Sequence, residues 1–338
     1  MKISFRPSEV RGRNIAYRPE LDGIRAISIV IVILHHIGYL HNRGFLGVDV
    51  FFTLSGFLIT QILIGYADKG IKLRKFYRRR LARLYPIMLV SIVGSVWLFN
   101  HKGMMQDVKP AIASALYVKN FYHWGDLTGP FWSLSAEEQF YLIFPILFLL
   151  FNKYLSRKVF SLFLMVFIGA VWSYVLYTNY PNYEWNKDGV FNLVVFRPTM
   201  ILLGCVVALN KDVLIRLVSR TRFIFMGLFF LCLYFCITLQ FPGFAAIGTA
   251  SAILLLSGDV AEKSVAMRGI RAVLGFGPLA WIGMLSYSIY IWHMPIILYL
   301  TSNWSHGLPS HLIFVGWVLG AAIVSFYVIE APLQKKFS

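Results

Sequence analysis

Apolar stretches close to the length of a membrane span recur from one end of this chain to the other, separated by short polar breaks. A helix needs about 20 apolar residues to cross a bilayer, and a chain built of such stretches has few other ways to fold. Hydropathy places spans at roughly 24–41, 45–66, 84–99, 138–151, 159–178, 193–210, 222–240, 243–257, 278–300 and 311–330. The expected fold is therefore all-α, a polytopic membrane protein of about ten transmembrane helices. Of the 338 residues, 58% are hydrophobic and 14% charged, against about a quarter charged in a soluble domain. A water-soluble fold is excluded.

The chain carries 32 Lys+Arg against 15 Asp+Glu. Such an excess can mark a nucleic-acid binder, but the basic residues fall in alternate breaks between spans rather than on one face, so no nucleic-acid partner is expected. Read by the positive-inside rule, the alternation puts both termini in the cytoplasm. The expected organisation is a basic cytoplasmic segment over 1–23, one transmembrane domain over 24–333, and a cytoplasmic tail over 334–338. No small-residue cleavage pattern follows the first apolar stretch, which is expected to be an uncleaved helix. With little chain after the last span, the chemistry is expected within the membrane domain. Cys205, Cys232 and Cys236 lie inside apolar segments, suited to packing rather than to a disulfide framework or a metal site. The longest outer break, about Asn100 to Ser135, has a moderately apolar middle from Ala111 to Phe121 that is too short to span. It predicts an interfacial or re-entrant helix that could lid a site.

Ionisable groups inside a membrane are costly, about 2.5–3.5 kcal/mol for Asp, Lys or Arg at a helix centre on insertion scales, so each is a functional candidate. His36 sits deep in the first span, and Asp49 lies at similar depth in the antiparallel return. Packed helices are about 8–10 Å apart, close enough for a carboxylate to orient an imidazole acting as general base. The plainer alternative is that His36 ties helices together and Asp49 favours the positive end of the second helix. Arg25 precedes His36 by eleven residues, about 16 Å along a helix, which puts it at the cytoplasmic interface. The basic break that includes Arg80 and Arg83 faces the same side and suits an anionic cofactor or anionic lipid head groups.

Further on, Ser135 and Glu138 fit a capping box opening the fourth span, which leaves Glu137 and Trp132 without a local explanation. Aromatic rings such as Trp132 also stack on sugars. Arg197, near the outer end of the sixth span, is placed to snorkel or to pair with an outer-side carboxylate. His293 stands beside the helix-disrupting Pro295, and Glu330 is expected to pair with cytoplasmic basic residues.

Several motifs together resemble the membrane acyltransferase family known as acyltransferase 3. They are Leu21-Asp22-Gly23-Ile24-Arg25-Ala26 with an Arg-x10-His spacing to His36, then Gly47-Val48-Asp49-Val50-Phe51-Phe52 and Ser55-Gly56-Phe57-Leu58-Ile59. Further matches are Arg80 and Arg83 before Leu84-Tyr85-Pro86, the segment Trp132 to Tyr141, Arg197 with Gly204, Ser286 to Tyr290 with His293, and Glu330 with Pro332. The resemblance implies a multi-pass enzyme of the bacterial inner membrane. Such an enzyme takes acyl-CoA, acetyl-CoA first, from the cytoplasm and acylates a hydroxyl of a sugar or lipid-linked glycan such as an O-antigen or exopolysaccharide. It makes Arg25 and His36 the essential pair. Some relatives add a soluble esterase-like domain after the membrane part.

The expected roles follow. His36, Asp49 and Glu137 are the catalytic candidates, with His36 as base or as the carrier of a transient acyl group. Arg25, Arg80 and Arg83 are the candidates for the CoA phosphates, since Arg offers charge-assisted bidentate contacts. Trp132, Tyr141, Arg197 and His293 are the acceptor-side candidates, and no metal is expected. The rival reading is a transporter or channel, because intramembrane His, Asp and Arg also build polar pathways.

Overall fold

The computed structural model describes residues 17–40, 44–69, 73–101, 103, 107–122, 127–179, 192–239, 241–301 and 308–337. In chain order the α-helices are α1 Pro19–His36, α2 Phe45–Lys69, α3 Leu73–His101, α4 Lys109–Ala115, α5 Phe131–Tyr154, α6 Arg157–Asn179 and α7 Pro198–Leu209. They continue as α8 Lys211–Thr238, α9 Pro242–Leu255, α10 Gly258–Glu262, α11 Val265–Leu274, α12 Gly277–Thr301, α13 Leu308–Ser325 and α14 Ala331–Phe337. No strand occurs among the described residues. Most of the basic segment expected over 1–23 lies outside the described residues, as does Lys72 of the basic break.

Each of the ten apolar segments is built on a helix, the first of them ending at His36. Among the described residues, seven helices are long and apolar enough to cross a membrane: α2, α3, α5, α6, α8, α12, and α13 continued through a π-turn into α14. The other three segments are α1, which carries Glu20, Asp22 and Arg25 near its start, and the shorter α7 and α9. The 12 residues of α7 rise about 18 Å, less than the hydrocarbon thickness of about 30 Å. Most residues of α7 and α9 are buried, so neighbouring helices shield ends that lipid could not.

The core is organised by two close crossings, α2 on α7 and α1 on α12. At the first, a Cβ on Gly56 would stand 1.8 Å from the Ile201 carbonyl oxygen, and one on Gly204 would stand 2.1 Å from the Thr53 carbonyl oxygen. The two backbones touch there, and only residues without a side chain permit it.

The outer break turns back into the bundle, as the apolar middle suggested. It forms α4 and a 3₁₀ turn over Lys119–Phe121, with Tyr117 between them at φ +55°. Lys119 and Asn120 are each only 1% exposed. Residues Leu127 to Ala136 are also buried, so α5 starts within the protein rather than at its edge. This corrects the capping box. The helix begins at Phe131, which puts Ser135 inside the second turn, where its hydroxyl donates to the Phe131 carbonyl (3.0 Å) and accepts from the Lys119 N–H (3.1 Å). Glu138 is thereby free of any capping duty and turns to α3.

Candidate functional site

His36 is the last residue of α1, where the chain leaves the helix through Ile37 and Gly38, the latter at φ +90°. The His36 Nδ1 lies 2.8 Å from the Val32 carbonyl oxygen. A carbonyl only accepts, so Nδ1 carries the hydrogen and donates it, and in the neutral ring Nε2 keeps its lone pair. His35 is held in the same way by the Leu40 carbonyl, at 2.8 Å.

Asp49 does not perform the orienting role expected of it. Its Oδ1 accepts from Arg197 Nη1 at 2.8 Å, and both side chains are 1% exposed. Equal depth in a hairpin does not mean a shared face: Asp49 lies on the side of α2 that meets α7, and Arg197 caps the start of α7. A buried carboxylate needs a counter-charge, and the close helix crossing supplies it. The Arg197 guanidinium also lies over the rings of Phe45 (4.5 Å) and Trp132 (5.6 Å), a cation–π arrangement. The expectation that Arg197 pairs with an outer-side carboxylate is thus met. Trp132 is buried, edge-on to Phe52 at 5.9 Å.

His293 comes to His36 from the middle of α12. Their ring centroids are 4.8 Å apart and their planes 71° apart. The His293 Nδ1–H donates to the Tyr290 carbonyl. Tyr290 in turn donates its hydroxyl to the Pro130 carbonyl (2.8 Å) and stands 2.7 Å from the Ser133 hydroxyl. The start of α5 therefore fixes the face of α12 that holds His293.

A second cluster lies farther along α5. Arg80 of α3 binds Glu138 through both arms of its fork, at 2.5 and 3.1 Å. Its guanidinium lies 3.2 Å from the centre of the Tyr141 ring. The Tyr141 hydroxyl donates to Glu137 (3.3 Å), which also hydrogen-bonds Ser55 of α2. Glu137, Tyr141 and Arg80 are therefore brought together, with Glu138 as the partner that sequence reading did not assign. Beside them, Tyr117 of the inturned loop packs on Tyr85 at 6.0 Å. Burial first, then the Glu138 charge, pushes its phenol up, so it stays neutral.

Arg83 donates to Glu330 (3.1 Å), whose carboxylate also accepts from Ser288 (3.2 Å) and Gln334 (2.8 Å). The expected pairing of Glu330 with a basic residue is met by Arg83. Arg25 is bound to Asp22, one turn back in α1, at 2.9 Å. All three arginines assigned to the CoA phosphates thus already hold a carboxylate, and a donor phosphate would have to compete for them.

A family model described as an acyltransferase domain matches residues 18–330, which takes in every residue of these clusters but Gln334. The chain belongs to the acyltransferase 3 family. Among curated proteins, this acyltransferase 3 chain is 31% identical to the O-acetyltransferase OatA of Staphylococcus aureus (strain NCTC 8325 / PS 47), over 95% of this chain and 58% of that protein. It is 32% identical to the peptidoglycan O-acetyltransferase OatA of Listeria monocytogenes serovar 1/2a (strain ATCC BAA-679 / EGD-e), over 94% of this chain and 56% of that protein. The chain therefore spans less than two thirds of the length of these relatives. No solved structure matches it significantly.

Sequence reading gave Tyr290, Ser133 and Ser55 no role of their own and gave Glu138 a capping role rather than the pairing with Arg80. One signal was present: Tyr290 and His293 stand three residues apart, which makes them neighbours on one face of a helix. Nothing local in sequence links Ser133 to Tyr290, 157 residues away.

Proposed function

We propose that this acyltransferase 3 protein transfers an acetyl group from acetyl-CoA to a sugar hydroxyl of a cell-envelope glycan, with a peptidoglycan sugar as the first acceptor to test. The observation that carries the reading is the fixed tautomer of His36: with Nδ1–H tied to Val32, the Nε2 lone pair is the basic nitrogen. In the proposed step Nε2 takes the proton of the acceptor hydroxyl, and the oxygen attacks the thioester carbonyl. The C–S bond then breaks, and the CoA thiolate leaves with the proton from Nε2. A covalent variant, in which Nε2 itself carries the acetyl group before the acceptor arrives, uses the same lone pair. The backbone carbonyl of Val32, rather than Asp49, is the group that orients the imidazole.

The distribution of basic residues supports a donor arriving from the cytoplasm, a multi-pass location in a bacterial cytoplasmic membrane, and cytoplasmic termini. Arg25, about 16 Å from His36 along α1, is the first candidate for a CoA phosphate. Arg80 and Arg83 join it only by exchanging Glu138 and Glu330 for phosphate. Asp49 and Arg197, a buried ion pair, support a fixed frame around the acceptor side. The names of the relatives favour acetyl as the group moved and a cell-wall sugar as the acceptor.

The test is transfer of label from acetyl-CoA into extractable glycans, in membrane vesicles holding equal amounts of wild type or His36→Ala. Label incorporated only by the wild type supports the reading. Equal labelling removes His36 from the mechanism, and no labelling from several acyl donors favours a carrier.

A further inference from the structure

We infer that His293 is a positioning residue for His36: its Nε2 accepts a hydrogen bond from the His36 Nε2–H that exists only while His36 holds the acceptor's proton. The inference rests on the proposed acyl transfer with His36 as base.

His293 is 0% exposed, and its Nε2 has no hydrogen-bond partner among the described residues. Its Nδ1–H is committed to the Tyr290 carbonyl, so its Nε2 can only accept. Buried acceptors are normally satisfied, and one left open asks for a partner in another state. The ring 4.8 Å away is His36, whose own Nδ1 is committed to Val32. Two imidazoles in contact, each with Nδ1 turned to its own helix, are left with two Nε2 lone pairs. In the resting state no hydrogen exists to join them. Once His36 removes a hydroxyl proton, its Nε2–H becomes a cationic donor, and charge-assisted hydrogen bonds are the strong ones in a dry interior.

Among the described residues, the titratable groups facing His293 are His36 and His35, both on α1. Glu137 and Arg197 face Tyr290, the residue beneath it. Tyr290 is held by Pro130 and Ser133 of the inturned segment, which keeps the His293 ring from rotating away. His293 stays neutral throughout and gives up no proton. The Nε2–H of His36 is forked, with one branch on the reacting oxygen or sulfur and the other on His293 Nε2, and the proton leaves from the same atom with the CoA thiolate. Because the bond exists only in the charged state, its loss lowers kcat and leaves KM in place.

The experiment compares wild type with His293→Gln, His293→Asn and His293→Phe in lipid vesicles, using labelled acetyl-CoA and a soluble amino-sugar oligomer. The Gln amide reaches the Nε2 position, whereas Asn ends near Nδ1 and Phe carries no polar atom. Gln is expected to keep kcat within about threefold of wild type, while Asn and Phe lose about 30-fold, the scale of one hydrogen bond to a charged group. KM for acetyl-CoA should stay within about twofold in all of them.

Wild-type kcat in Asn or Phe overturns the inference, and so does a Gln variant as slow as Phe. Absence of transfer by the wild type instead refutes the acyl-transfer reading. A measurement independent of variant folding is the ¹⁵N spectrum of histidine-labelled wild type in lipid. Unprotonated Nε2 on both His36 and His293 at rest is the expected result, and an Nε2–H on His293 overturns the proposal.

Discussion

Replacing Arg197 with Met removes the cation but keeps much of the side-chain volume, leaving the Asp49 carboxylate in a site where both partners are 1% exposed. Breaking a buried pair from one side costs about 3–5 kcal/mol, because the surviving charge has lost its counter-ion. The loss of cation–π contact with Phe45 and Trp132 adds about 1 kcal/mol. The other Asp49 oxygen, Oδ2, lacks a hydrogen-bond partner among the described residues, so the carboxylate depends on Arg197. The same logic makes the double replacement Asp49→Leu, Arg197→Met milder than Arg197→Met alone, since no charge is then stranded. An unfolding titration in mixed micelles, run as a double-mutant cycle, should give a coupling of at least about 2 kcal/mol. An additive cycle, or a cost for Arg197→Met below about 1 kcal/mol, would refute the view that this pair is a mutually dependent buried unit.

Gly204→Leu forces a side chain where a Cβ alone would meet the Thr53 carbonyl at 2.1 Å. It should cost more than the 1–3 kcal/mol or so of ordinary overpacking, read as loss of the monodisperse peak in detergent; a well-folded Leu variant contradicts the crossing. Glu138→Gln weakens the hold on Arg80 and should lower KM for acetyl-CoA about threefold; an unchanged KM removes Arg80 from the donor site. Asp49→Asn keeps the shape but not the charge opposite Arg197. Because Asp49 serves Arg197 and not His36, the change should lower stability by about 2–3 kcal/mol without shifting the pH profile of transfer, whereas a shifted profile restores Asp49 as the partner of His36.

Much of the helical layout was legible because apolar length is a local property: each segment, from the first to the last, is built on a helix. Arg197 and Glu330 also found partners of the kind expected, since an intramembrane charge restricts its own surroundings. The errors share one cause. Counting residues around the first hairpin gave Asp49 its depth but not its direction, and its true partner stands 148 residues away. In the same way, the polar run Ser133 to Glu138 reads as an aqueous helix start. Only the burial of Leu127 to Ala136 shows that the chain has already entered the protein. His293 and His36 were both identified as candidates, but their contact was not, because α1 and α12 meet only in three dimensions.

The contact of bare backbones at Gly56 and Gly204 also bears on how the protein can move. Side chains act as lubricant between helices: they change rotamer and let one helix slide on another by an ångström or two. Where carbonyl groups themselves are the contact surface, that slack is gone, and sliding α2 along α7 would drive the Ile201 and Thr53 oxygens into the opposite chain. The two helices, with Asp49 clasping Arg197 across them, form a keel that travels as one body. Any opening that the proposed transfer requires must come from elements packed around that keel, such as α3 and the inturned start of α5, swinging against it.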